Sequence, residues 1–152
     1  MNELGQRVQD LFQELVHGPA SGRASVAITS FADRDLVDLN PSNPRAARIR
    51  AILAKDPRRG VTLAVGKGTI FEVPEGGGRY TENYSAVDEA TSISKAVVAG
   101  RFREKVRTDS EDRVVSSEGT VDVPPPITAR WGRLFINPFR RTSVEFLEYE
   151  PY

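Results

Sequence analysis

The chain has 152 residues, 21 basic and 21 acidic side chains that cancel to zero formal charge, one histidine and no cysteine. This composition excludes disulfides, thiolate nucleophiles and cysteine-based zinc or iron–sulfur centres, and a lone histidine cannot build a multi-histidine metal site within one chain. A dedicated DNA binder carries a basic excess to displace phosphate counterions, which is missing here, and balanced charge leaves little repulsion against self-association.

Along the chain, Leu4, Val8, Leu11, Phe12, Leu15 and Val16 recur at helical spacing between polar residues, and Gly18-Pro19 closes that helix. Residues 26–31 favour a short strand. Residues 33–38 are too charged to be expected at the centre of a sheet. Asn43-Pro44 reads as a helix start, an N-cap followed by proline at the first helical position. Ala46, Ala47, Ile49, Ile52 and Leu53 would then form the apolar face of a second, basic helix ended by Pro57 and Gly60.

Residues 61–65 and 69–73 are β-rich and joined by Gly66-Lys67-Gly68, which predicts a hairpin. A glycine-centred loop follows. Ser85 with Asp88 three residues on marks the N-terminus of a further helix, and Gly100 supplies its left-handed stop. A helix continuing to Val106 would also fit i, i+4 spacing, but an interior glycine costs it ~1 kcal/mol. After Gly100 the pattern switches to period two, with Arg101, Arg103, Lys105 and Arg107 on one strand face and Phe102, Glu104 and Val106 on the other. Residues 109–112 form a hairpin tip. Val115, Ser117, Gly119, Val121 and Val123 mark the return strand. Ala129, Trp131 and Phe135 mark the next, and a last strand begins near Val144.

The expected fold class is therefore α+β: a curved, mostly antiparallel sheet with about three helices on one face, in a single domain over residues 1–152. The expected order is helix, short strand, helix, hairpin, helix and four strands. In that order of elements the chain resembles the cone-shaped fold of nuclear transport factor-like proteins, in which helices and a long curved sheet enclose a pocket. The resemblance implies a pocket; the fold hosts both enzymes and non-enzymes.

Glu104 would face the helices, where a carboxylate is either paired, at the sheet margin or lining a cavity; strand-margin exposure is the simpler expectation. With Asp88, Tyr84 and His17 it completes the set of candidate acid–base groups, although His17 at a helix C-terminus is better explained as a cap for the helix dipole. Gly66-Lys67-Gly68 lacks the Walker spacing and a following helix, so it reads as a turn rather than a phosphate loop. Arg101, Arg103, Lys105 and Arg107 suit an anionic partner or a solvated face paired across strands. Trp131, between Arg130 and Arg133, would anchor a partner if exposed. Phe135, Phe139 and Phe146 are expected in the core.

No nucleophile context or paired acids stand at motif spacing. The function expected is a non-enzymatic binding or protein-interaction module, with a protein partner or a second copy of itself. A pocket protein (small-ligand carrier, or an acid–base isomerase, dehydratase or hydrolase) is the alternative. Nucleic-acid binding through the basic surface ranks third. No cofactor, metal or membrane partner is expected, since no apolar run reaches the ~20 residues of a membrane span. Acids and amides interrupt the first helix, unlike a signal peptide, and a soluble cytoplasmic setting follows.

Overall fold

The computed structural model describes residues 1–56, 59–74, 85–132 and 141–152. Helix α1 (Glu3–His17) forms where periodicity places it: the Asn2 side chain accepts from the Gly5 amide at 2.8 Å, and Leu4, Val8, Leu11, Phe12 and Leu15 are buried. Strands β1 (Ala24–Ser30), β2 (Arg34–Pro41), β3 (Ile49–Ala54), β4 (Val61–Val65) and β5 (Thr69–Val73) follow as a five-stranded antiparallel meander in chain order. Helix α2 (Ala86–Val98) then leads into β6 (Phe102–Asp109), β7 (Val114–Val121), β8 (Ile127–Gly132) and β9 (Thr142–Glu148). These form a second antiparallel sheet in the order β8-β7-β6-β9.

The expected single curved sheet with about three helices on one face is therefore wrong, and so is the likeness to a cone. The described residues form two helices and nine strands in two antiparallel sheets. The error lies in residues 33–54. Asn43 caps a turn, its side chain accepting from the Arg45 amide at 3.0 Å, and no helix follows. Ile49, Ala51 and Leu53 are buried in strict alternation, a period of two that 3.6-residue spacing also fits over so short a run. β2 enters the sheet interior because its acids are neutralised by β3 and the residues on either side of it. Asp38 takes Arg50 at 2.7 Å and Arg48 at 3.0 Å, and Asp35 takes Lys55 at 2.7 Å. Hydrogen bonds from Lys55 and Ser30 hold Asp35 below the usual carboxylate range.

The remaining elements match the sequence reading. The β4–β5 hairpin turns at Gly66-Lys67-Gly68, with Val65 opposite Thr69. The Ser85 side chain caps α2 by accepting from the Asp88 amide, and Gly100 has φ of +74° directly after the Ala99 cap. α1 packs on α2 and on β1, β2 and β3, while α2 packs on β4, β5 and β7. The two sheets meet where β5 lies against β7 and β8. Phe12, Leu39, Ile49, Leu63, Phe71 and Ile93 are among the largest fully buried side chains of the common core. Tyr152 closes one end of it, donating from its amide to Val98 at 3.0 Å and from its hydroxyl to the Ala47 carbonyl at 2.5 Å. Phe135, Phe139 and Arg133 lie outside the described residues.

Gly100 is fixed both by its dihedral and by its surroundings, since a Cβ there would sit 2.7 Å from the Pro151 nitrogen. Gly100→Ala is expected to destabilise the fold by about 1–2 kcal/mol or more, the cost of a left-handed non-glycine residue plus the clash. Urea denaturation measures this, and an unchanged midpoint would contradict the assignment.

At the β6–β7 tip, burial would raise the Asp109 carboxyl, but the Glu111 and Arg113 amides and the Arg113 guanidinium outweigh it and bring its pKa to about 2. Its folded pKa thus lies below the ordinary 3.8. The stabilisation is present above that ordinary value and is lost as pH falls toward 2. Denaturation midpoints of the natural chain and Asp109→Asn should differ at pH 6 and converge near pH 2, and a constant gap would count against this linkage.

Candidate functional site

Glu104 is not at a margin: the residue is 3% exposed. Period-two alternation on β6 turns it inward with Phe102 and Val106, opposite Gly119 on β7. Its Oε1 accepts from the Lys67 amide at 2.6 Å and from the Tyr149 hydroxyl. Its Oε2 accepts from the Gly68 amide at 3.2 Å and the Thr69 hydroxyl at 2.8 Å. Thr69 in turn shares a hydrogen bond of 2.9 Å with Ser117. The β4–β5 turn therefore does hold an anion, through its backbone N–H groups, and the anion is the chain's own carboxylate. Burial, followed by the hydrogen bond to Glu104, pushes the Tyr149 phenol far above its ordinary value, so it stays a neutral donor.

Two glycines make this approach sterically feasible. Gly66 has φ of +66°, and a Cβ there would lie 2.6 Å from Glu104 Oε1 and 2.8 Å from the Tyr149 hydroxyl. A Cβ on Gly119 would lie 2.3 Å from the Thr69 side chain, so β7 can lie against β5 only without one. Around the carboxylate, Phe102 stacks on Tyr149 at 5.3 Å and meets Phe71 edge-on at 6.3 Å, and Trp131 Nε1 donates to the Gly68 carbonyl at 2.5 Å. Trp131 is thus half-buried against the turn rather than presented as a free anchor.

The other candidate acid–base groups do not join Glu104. Asp88 accepts from the Ser85 hydroxyl at 2.7 Å in the α2 cap. His17 is exposed, its Nδ1 donating to the Gln13 carbonyl at 2.7 Å as a helix-end cap. Tyr84 lies outside the described residues. A cleft of about 510 Å³ runs between α2 and the ends of β7 and β8, with Lys95 and Arg101 at an apolar floor of Ala96, Pro124 and Ile127. Neither Glu104, Asp88 nor His17 lines it. No group of three or more histidine, aspartate or glutamate side chains among the described residues is placed to hold a metal.

What reaches solvent as a patterned surface is the outer face of the second sheet. Register puts Lys105 opposite Glu118 on β7 and Phe146 on β9, and Arg107 opposite Ser116 and Val144. Arg103, Lys105 and Arg107 enter no ion pair among the described residues, and the acid opposite Lys105, Glu118, is taken by Arg130 at 2.6 Å. Arg101 precedes the strand and turns to the cleft instead. Phe146 is 74% exposed, with Lys105 Nζ 5.5 Å from its ring centre. Sequence reasoning assigned Phe146 to the core and saw no aromatic among these cations, because Phe102 points inward. The aromatic comes from the neighbouring strand, and only register reveals it. No family model, curated protein or solved structure matches the chain. No helix among the described residues is long and apolar enough to cross a membrane.

A glutamine at 104 would aim an N–H₂ at groups that are themselves donors. Glu104→Gln is therefore expected to destabilise the protein by about 2–3 kcal/mol, the scale of lost charge-assisted hydrogen bonds. A substitution that leaves the urea midpoint unchanged would show that the carboxylate does not hold the turn.

Proposed function

We propose that the chain is a non-enzymatic binding module whose working surface is the outer face of β6 and β9, and whose partner is a protein segment carrying acidic side chains and one apolar anchor. The observation that carries this reading is Phe146, exposed beside Lys105 and flanked by Arg103, Arg107 and the exposed Val144. Unpaired cations around an apolar centre complement a segment of that composition, and exposed aromatics of this kind act as binding hot spots. The disposition of the acid–base groups supports it: Glu104 is saturated by internal donors, while Asp88 and His17 serve as helix caps. A catalytic acid must reach a substrate proton, and the Glu104 oxygens are already occupied. A cytoplasmic setting belongs to the same reading and is supported by the cysteine-free composition.

The pairing of Lys105 with Phe146 also favours a second reading, single-stranded nucleic acid stacked on the ring. A phosphate backbone carries a charge at every nucleotide and would meet Glu118 and Glu148 on that face, whereas a segment with a few acidic side chains can be placed on the cations alone, which puts the protein segment first.

An NMR titration with an acidic peptide containing one phenylalanine should shift amides of β6 and β9. Phe146→Ala should weaken binding by roughly tenfold or more without changing stability, as for a central anchor. Shifts elsewhere, or undiminished binding by the variant, would overturn the proposal. Tighter, steeply salt-dependent binding of an oligothymidylate of equal charge would establish the second reading in its place.

A further inference from the structure

The first sheet ends at β1, and among the described residues no strand lies beyond it. Exposed edges are normally blunted by charge, proline, a bulge or a covering element. β9 carries Glu145 and Glu148, β8 carries Arg130, and β5 lies against β7 and β8. β1 has none of these devices. Its sequence, ASVAITS, contains no charge and no proline, and all seven residues pair with β2 without a register shift. Ile28 is 43% exposed, and Phe31 just after the strand is 46% exposed.

The same sequence is nearly its own mirror image about Ala27: Val26 answers Ile28, Ser25 answers Thr29, and Ala24 answers Ser30. We propose that two copies of this chain pair through β1, antiparallel about a two-fold axis passing beside Ala27. A two-fold contact places a surface against itself, which is what a self-complementary strand provides. Val26 then lies opposite the partner's Ile28, Ser25 opposite the partner's Thr29, and Ala27 opposite the partner's Ala27.

The backbone has the matching phase. The Phe31 amide donates to the Arg34 carbonyl at 2.8 Å, and the Ser42 amide donates to the Arg23 carbonyl at 2.8 Å. Odd-numbered residues of β1 therefore bond to β2, and alternation leaves the N–H and C=O groups of Ala24, Val26, Ile28 and Ser30 facing the open edge. In the proposed register even residues meet even residues, so all of these groups find partners. Val26 and Ile28 stand opposite the buried Leu39 and Val37, on the core side of the sheet. Pairing thus extends the core across the junction and covers Ile28.

Charge does not oppose the pairing, because the uncharged strand brings no like charges together. The surface is separate from the β6–β9 face, so neither proposal depends on the other.

Sedimentation equilibrium on the whole chain between ~5 and ~300 µM should show a monomer–dimer transition, the range suited to a small, strand-only interface. Ala27→Lys sets two ammonium groups against each other at an exposed position and should leave a folded monomer by circular dichroism. Because the chain has no cysteine, single cysteines report register. Ala27→Cys faces its own copy at about 4.5 Å between Cα atoms, within disulfide range. In Ser25→Cys or Thr29→Cys the two thiol-bearing positions are offset by about 13 Å along the strand. Under oxidised glutathione, Ala27→Cys should cross-link at least tenfold faster than either. A natural chain that stays monomeric throughout, a dimeric Ala27→Lys, or equal cross-linking at all three positions would overturn the proposal.

Discussion

The contact between the two sheets is built around one buried carboxylate. Glu104, on a strand of the second sheet, occupies the turn that ends a hairpin of the first, and its oxygens are met by two backbone amides, a threonine and a tyrosine. Each side of this contact answers a liability of the other. Amides in a tight turn have no ladder partner, and a carboxylate taken out of water is costly unless its lone pairs are filled. The donors are neutral, so no second charge needs to be desolvated with it; the nearby ammonium of Lys67 reaches outward to Glu145 at 2.7 Å. Much of the local sequence serves this contact. Gly66 and Gly119 clear the approach, Phe102 orients Tyr149 by stacking, and Trp131 braces the turn from the other side.

The first sheet treats its acids differently. Asp35 and Asp38 sit inside it because Lys55, Arg48 and Arg50 arrive from β3 and its surroundings. Those cations keep much of their length in solvent, which spares the full desolvation penalty of a buried pair. The same pairs made this region illegible in the sequence. Read alone, residues 33–38 look like a charged loop and residues 45–59 like a basic helix. Paired, they contribute the neighbouring strands β2 and β3, and the cations in and beside β3 supply the counter-charges that the acids of β2 need.

What could be read correctly was local. The apolar periodicity of the first helix, the Ser85 helix start, the Gly100 stop, the turn at Gly66-Lys67-Gly68 and the change to period two after Gly100 each depend on a few adjacent residues. All appear where expected. What failed required partners distant along the chain. The inward face of Glu104 was legible, but its donors lie 35 to 45 residues away. The exposure of Phe146 depends on β9 joining the sheet as an edge strand beside β6, a pairing that nothing in the last strand announces.

The division of labour between the two sheets has a consequence for binding. The charged face of β6 and β9 belongs to one sheet, and the uncharged edge at β1 ends the other. Joining two copies at β1 would therefore leave both charged faces open. It would present two binding surfaces on one particle, so that a partner with two acidic segments engages the second site at high effective concentration. Avidity of that kind raises affinity without any improvement in the single site. It allows the face around Phe146 to remain small, and the charge of the whole chain to balance at zero, while binding is still effective.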